Sequence, residues 1–299
     1  MTQEVSPRGE RAAAPVCYRH TDRETYVRCV RCDRPICPDC MNSASVGFQC
    51  PDCVREGNRG VREARTTFGG RVAGNSKQMT LGLIGINVAV FLLVGATNPA
   101  ALSGGVITAL HARFALDVGA VARGEYYRLL TSAFLHYGFV HIAFNMYALW
   151  LFGSELERLY GRVRFVTLYL VSALGGSVLA YLIVSPGTPY SPGPLLAGAS
   201  GAVFGLFGAF FITARKVGMQ TGGIIALVGI NLALGFVIPN IGWQAHVGGL
   251  LTGSALAAVL AYAPQGPRRR LIQVAGTLAI VAVLCIIVAL RTAHFPVIA

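Results

Sequence analysis

Seven apolar segments, at about residues 79–96, 136–153, 163–184, 195–214, 222–238, 243–262 and 271–290, follow a polar stretch of nearly 80 residues. Runs near twenty apolar residues match the hydrocarbon thickness of a bilayer, so each is expected to be a transmembrane helix. Composition agrees: 54% of the 299 residues are hydrophobic and only 13% charged, against about a quarter charged in a soluble domain. The fold class expected is an all-α membrane protein.

The net charge of +12 raises nucleic acid as a partner. The basic residues instead cluster in the first 80 positions and in short loops, which suits membrane topology and anionic lipid. No nucleic acid is expected; the lipid bilayer is. No secretory signal is visible, and the polar N-terminus is expected to stay in the cytoplasm. Three connecting loops then carry Arg158, Arg162 and Arg164, Arg215 and Lys216, and Arg268, Arg269 and Arg270. The alternate loops "SPGTPYSPG" and "PNIGWQ" carry no basic residue. This asymmetry predicts a multi-pass plasma-membrane protein with the N-terminus inside and the C-terminus outside. The long first loop, about 97–135, holds Arg113, Arg123, Arg128 and many aromatics, and is expected to lie partly in the membrane interface.

Seven of the eight cysteines fall between Cys17 and Cys53. They form a series with one histidine: Cys17-x2-His20, Cys29-x2-Cys32, Cys37-x2-Cys40, Cys50-x2-Cys53. Eight soft ligands suit two tetrahedral structural Zn²⁺ sites with no open position for catalysis. A unit of some 40 residues has too little core to fold alone, so metal would supply its stability. Sequential and interleaved pairing are both open on spacing alone. The domain map expected is disorder over 1–15, a zinc-binding domain over 16–55 and a basic linker over 56–78. A membrane core over 79–262 and a last helix with tail over 263–299 complete it.

Polar side chains within the apolar segments are few, and in lipid such groups are costly and tend to be functional. From Leu129 onward there is no Asp, and the only acids are Glu155 and Glu157 near the end of the second segment, which counts against ion-coupled transport. The remaining groups are His136, His141, Asn145, Ser200 and His246. On the predicted topology all five fall in the same outer layer, with Ser200 a few residues into the fourth span. Gly201 and Gly205 share one face of the fourth helix, and Gly249 and Gly253 one face of the sixth. Small-xxx-small faces let backbones approach closely. If they meet, Ser200 comes near His246, and Phe204, one turn on, can pack against the imidazole. A serine hydroxyl needs a base to become a nucleophile; His246 can be that base, and with no carboxylate at hand the expectation is a dyad. His141 and Asn145, four apart, can donate to a developing oxyanion together with the Ser200 N–H. Each residue alone has a plainer reading: Ser200 a packing residue, His246 a core histidine, Asn145 a helix–helix contact, His136 a structural bond to loop backbone. The hydrolase elbow G-x-S-x-G is not matched, because Ala202 replaces its last glycine.

Taken together, His136-x4-His141-x3-Asn145, the G-x-S-G of Gly198 to Gly201 and the A-H-x-x-G of Ala245 to Gly249 resemble the rhomboid intramembrane serine proteases. The Tyr127-Arg128 pair resembles that family's aromatic-Arg pair, and Glu157 with Arg158 its acidic-basic cluster. The resemblance implies a rhomboid-like six-helix core over 79–262, to which a seventh C-terminal helix and the zinc domain are additions. It implies Ser200 as nucleophile, His246 as base, and His141, Asn145 and the Ser200 N–H as oxyanion hole. The substrates implied are transmembrane segments cut near the outer leaflet. Phe204 stands where many bacterial members have Tyr. The cysteine order resembles a B-box-type finger, which implies interleaved pairing; its role, through a cytoplasmic protein partner, is expected to be binding or regulation. The alternatives are a rhomboid-like pseudoprotease and a zinc-finger membrane scaffold, both binding clients without cleavage.

Overall fold

The computed structural model describes residues 14–59, 65–72, 77–185, 187–188, 191–237 and 242–295. Residues 1–13 of the 1–15 stretch expected to be disordered, and the outer-loop stretch 238–241, lie outside them. The chain divides into two units, Met1–Glu63 and Ala64–Ala299.

In the first unit a short hairpin pairs β1 (Asn42–Ser43) with β2 (Phe48–Gln49), and α1 (Pro51–Asn58) follows. Its buried apolar cluster consists of Ile36 and six of the cysteines. A core built almost wholly from cysteines supplies little apolar packing to hold a unit of this size.

The second unit is helical. It comprises α2 (Gln78–Thr97), three short helices in the first loop, α3 (Ala109–Phe114), α4 (Val118–Ala122) and α5 (Arg128–Thr131), and then seven more elements. These are α6 (Phe139–Ala148), α7 (Ser154–Tyr160), α8 (Arg162–Ile183), α9 (Ser200–Lys216), α10 (Gly222–Val237), α11 (Trp243–Tyr262) and α12 (Arg269–Ala293). A π-helical turn over Leu149–Gly153 joins α6 to α7, so the second segment is one continuous helical run. Each of the seven apolar segments contains a helix. Among the described residues α2, α8, α11 and α12 are individually long and apolar enough to cross a membrane.

Two boundaries differ from expectation. The second helical run starts at Phe139, because Gly138 at φ +82° occupies its N-cap, and it continues to Tyr160. The fourth helix starts at Ser200, so this residue is not several positions inside it. Residues 195–199 are apolar yet not helical. Leu196 makes a two-way backbone bridge with Leu116 at 2.8 and 3.0 Å, and Gly198 takes φ +140°. Those bonds hold the entry strand-like until the chain turns at Gly198.

The first loop is organised around Arg128, whose guanidinium is buried. It donates to the carbonyls of Ala112 at 2.8 Å and Ala115 at 2.9 Å, and pairs with Glu125 at 2.8 Å. The Tyr127 hydroxyl and then Arg128 hold the Glu125 carboxyl below its usual range. At the other end, Glu157 and Arg158 do not form the pair that their adjacency suggests. Arg158 bonds Glu155. Buried Glu157 accepts from the N–H groups of Met79 (3.0 Å) and Thr80 (2.8 Å) and from the Thr80 hydroxyl (2.8 Å). A carboxylate there satisfies orphan donors of the α2 N-terminus and complements its dipole.

Residues 65–72, expected as linker, pack on the helical unit as a strap. Phe68 is buried and stacks on Tyr160 with centroids 4.7 Å apart. The Gln273 amide of α12 donates to the carbonyls of Phe68 (3.1 Å) and Leu260 (2.8 Å) and accepts from Arg164.

Candidate active site and metal centres

Three helices meet where α9 begins. Gly201 lies against Ala245 of α11, whose carbonyl oxygen would be 3.3 Å from a Cβ at Gly201, and against Gly176 of α8. One turn on, a Cβ at Gly249 would sit 2.7 Å from the Gly201 carbonyl carbon and closer still to its oxygen. Gly253 meets Gly205 in the same way. The expected glycine faces of α9 and α11 are therefore in direct backbone contact. Sequence reading missed α8: its Gly175 and Gly176 form a third small-residue surface, against Thr252, Gly248 and Ala245. The signal for it in the sequence is the adjacent pair Gly175-Gly176.

The neighbour of Ser200 thus touches the neighbour of His246. Phe204 stacks on the His246 ring at 4.2 Å and 7°. The imidazole is buried and its Nδ1 has no hydrogen-bond partner. Among the described residues no hydrogen bond joins Ser200 to His246.

Gly198 lets the chain pass close against the His141 ring. A Cβ there would be 2.8 Å from His141 Nε2, 2.7 Å from its Cε1 and 3.6 Å from Ser200 Oγ. Both φ and space exclude other residues at this position. The Tyr137 N–H donates to His141 Nδ1 at 3.4 Å, so the proton of a neutral ring is on Nε2, the nitrogen beside Gly198. Asn145 is buried and uses one amide proton on the His141 carbonyl at 2.9 Å, which leaves the second free. Ser200 is the first residue of α9, where N–H groups lack intrahelical acceptors.

His136 behaves as the plainer reading had it. It is fully buried, and its Nε2 accepts from the Ala199 N–H at 3.4 Å. Two supports had no signal in the sequence. His111 of the first loop donates from Nε2 to the His136 carbonyl (3.3 Å) and stacks on Tyr137 (4.8 Å). The Tyr137 hydroxyl holds the Leu195 carbonyl at 2.9 Å, in the strand-like entry to Ser200.

Comparison with known proteins agrees with this geometry. The rhomboid domain profile matches residues 123–263. The chain is 37% identical to "Putative rhomboid protease YdcA" of Bacillus subtilis over 142 residues, which are 46% of this chain and 68% of that protein. The chain belongs to the rhomboid family. The rhomboid core is also 43% identical to "Rhomboid protease GluP" of Bacillus subtilis over 145 residues, 47% of this chain and 27% of that protein. It is 38% identical to "RHOMBOID-like protein 5" of Arabidopsis thaliana over 173 residues, 55% of this chain and 53% of that protein. The chain thus spans about a quarter to a half of the length of these last two relatives.

The metal-ligand candidates of the N-terminal unit gather into two groups, Cys17, His20, Cys37 and Cys40, and Cys29, Cys32, Cys50 and Cys53. Pairing is interleaved, first with third and second with fourth. Within each group the donor atoms lie within 4.8 Å of one another. His20 Nδ1 is 3.2 Å from Cys37 Sγ and 3.5 Å from Cys40 Sγ, and Cys32 and Cys50 sulfurs are 3.7 Å apart. A tetrahedron with Zn–S near 2.3 Å has edges of about 3.8 Å, so a zinc-sized ion fits. Burial raises the Cys17 thiol, but amide donors from Cys37, Arg19 and His20 outweigh it and bring it down to about 6. Arg34 bonds Cys32 Sγ at 3.3 Å and Cys50 Sγ at 3.6 Å, offsetting charge at the four-thiolate group. Stripping metal from the full-length protein with a chelator is expected to abolish ordered structure over 14–59. Hydrogen exchange checks this: protection there is lost while α8, α9 and α11 keep theirs.

Proposed function

We propose that this rhomboid is an active intramembrane serine endopeptidase that cuts transmembrane segments of membrane proteins near the outer leaflet. The observation that carries the reading is the Gly201–Ala245 contact with Phe204 stacked on His246, which sets a hydroxyl-bearing helix start against an imidazole-bearing one. Ser200 Oγ attacks the scissile carbonyl while His246 takes its proton. The oxyanion is met by His141 Nε2–H, the free Asn145 amide proton and the Ser200 N–H. His246 passes its proton to the departing amine, and a water then hydrolyses the acyl enzyme with the same histidine as base. No carboxylate orients His246; the flat Phe204 ring does so by stacking. The protein sits in the plasma membrane with its N-terminus cytoplasmic and its C-terminus outside. Two Zn²⁺ held by the residues above would be structural and take no part in peptide cleavage; the finger would serve a cytoplasmic partner.

A fluorophosphonate probe is expected to label the wild-type protein in membranes, and to label neither Ser200→Ala nor His246→Gln. Absence of labelling in folded wild-type protein would leave the pseudoprotease or scaffold reading instead.

A further inference from the structure

At the end of the helical unit away from Ser200 lies a cavity of about 280 Å³, bounded by the strap, the end of α9 and the turn from α11 to α12. Thr67, Phe68, Lys216, Tyr262, Gln265 and Arg269 are among its lining residues. Lys216 Nζ stands 4.6 Å over the Tyr262 ring. Arg269 gives one guanidinium nitrogen to the Thr67 carbonyl at 3.2 Å, while its Nε is buried with no partner. Arg269 is also the first residue of the 25-residue α12, so the positive end of that helix dipole lies here.

Nothing in the helical unit neutralises this charge. From residue 64 onward the only carboxylates are Asp117, Glu125, Glu155 and Glu157. Each is engaged: Asp117 caps α4, Glu125 holds Arg128, Glu155 holds Arg158, and Glu157 caps α2. Arg164, close by, is held by the neutral Gln273 oxygen and repelled by Arg269, Arg65 and Arg270. A partly enclosed site with a point-charge amine, a guanidinium with an idle donor, a helix N-terminus and no counter-charge is the chemistry of a phosphate receptor.

We propose that this cavity binds a phosphate oxyanion, supplied by the headgroup of an acidic phospholipid of the inner leaflet. On the orientation proposed above, which is all the inference borrows from the functional reading, the cavity faces that leaflet, and Phe68 and Tyr262 sit at headgroup level. Occupancy would bridge Arg269 of α12 to Lys216 of α9 and pin the strap, through which the chain continues from the zinc-binding unit to the protease core.

The test uses the full-length protein in nanodiscs of phosphatidylcholine with and without phosphatidylglycerol, released into detergent and weighed by native mass spectrometry. Wild type is expected to retain one phosphatidylglycerol, and Lys216→Gln/Arg269→Gln to retain about tenfold less or lower, with two headgroup-facing cations lost. Arg123→Gln in the first loop, outside the cavity, should match wild type. Lys216→Gln alone, at an exposed position, gives the same direction if the double variant melts early. Displacement of the lipid from wild type by excess inorganic phosphate would assign the site to phosphate from either source. Retention by wild type of no phosphatidylglycerol and no phosphate, or equal retention by wild type and the variants, would overturn the proposal. Ser200 labelling is read in parallel, so failure here leaves the protease reading intact.

Discussion

Ser200→Ala is expected to lower cleavage of a reporter transmembrane substrate by about 10³-fold or more, to background, while the protein still inserts and melts as wild type. The side chain lost is small, so packing changes little: among the described residues Ser200 has no side-chain hydrogen-bond partner on which the fold depends. What goes is the hydroxyl beside Gly198 and His141. His246→Gln should fall nearly as far, because the two act as one unit and their losses do not add. The check is a gel-based cleavage assay of purified, reconstituted protein with the melting temperature read beside it. Residual cleavage by Ser200→Ala within tenfold of wild type would place the nucleophile elsewhere.

Gly249→Ala is expected to cost both activity and stability, although it adds only one methyl group and alters neither Ser200 nor His246. Its Cβ would overlap the Gly201 carbonyl, and Gly201 is itself wedged against Ala245 and Gly176. Backbone cannot yield there as a flexible side chain would, so α9 and α11 must separate. Overpacking of this kind costs about 1–3 kcal/mol, at times more. Because His246 lies one turn from Gly249 and Ser200 beside Gly201, the same displacement pulls imidazole from hydroxyl. A misplacement of about 1 Å in such a pair costs roughly 10²-fold in rate. Thermal melting and turnover measured on one preparation should fall together. By contrast Gly218→Ala, with nothing within 4 Å of its Cβ position, should leave turnover unchanged. Any loss there reflects backbone strain at φ +76° and appears in stability alone.

Several features were legible from residue order alone. The two Cys/His groups able to hold metal, the seven apolar segments, the meeting of the Gly201 and Gly249 faces, and Phe204 beside His246 follow from residue types and helical spacing, because these are local patterns or pairs of matching surfaces. Tertiary structure alone decided the rest. The interleaved sharing of Cys and His pairs depends on how a loop returns, and equal C-x2-C spacings cannot distinguish that. The start of α9 at Ser200 was hidden because residues 195–199 are as apolar as a helix; a backbone bridge between Leu196 and Leu116, some 80 positions apart in the chain, overrides local preference. The buried α8 is apolar nearly all round, so no stripe announces which face carries Gly175 and Gly176 to the active helices. His111, Tyr137 and Gln273 act through bonds to backbone carbonyls distant in sequence, and a side chain's own neighbours in the chain say nothing about which carbonyl folding will bring to it.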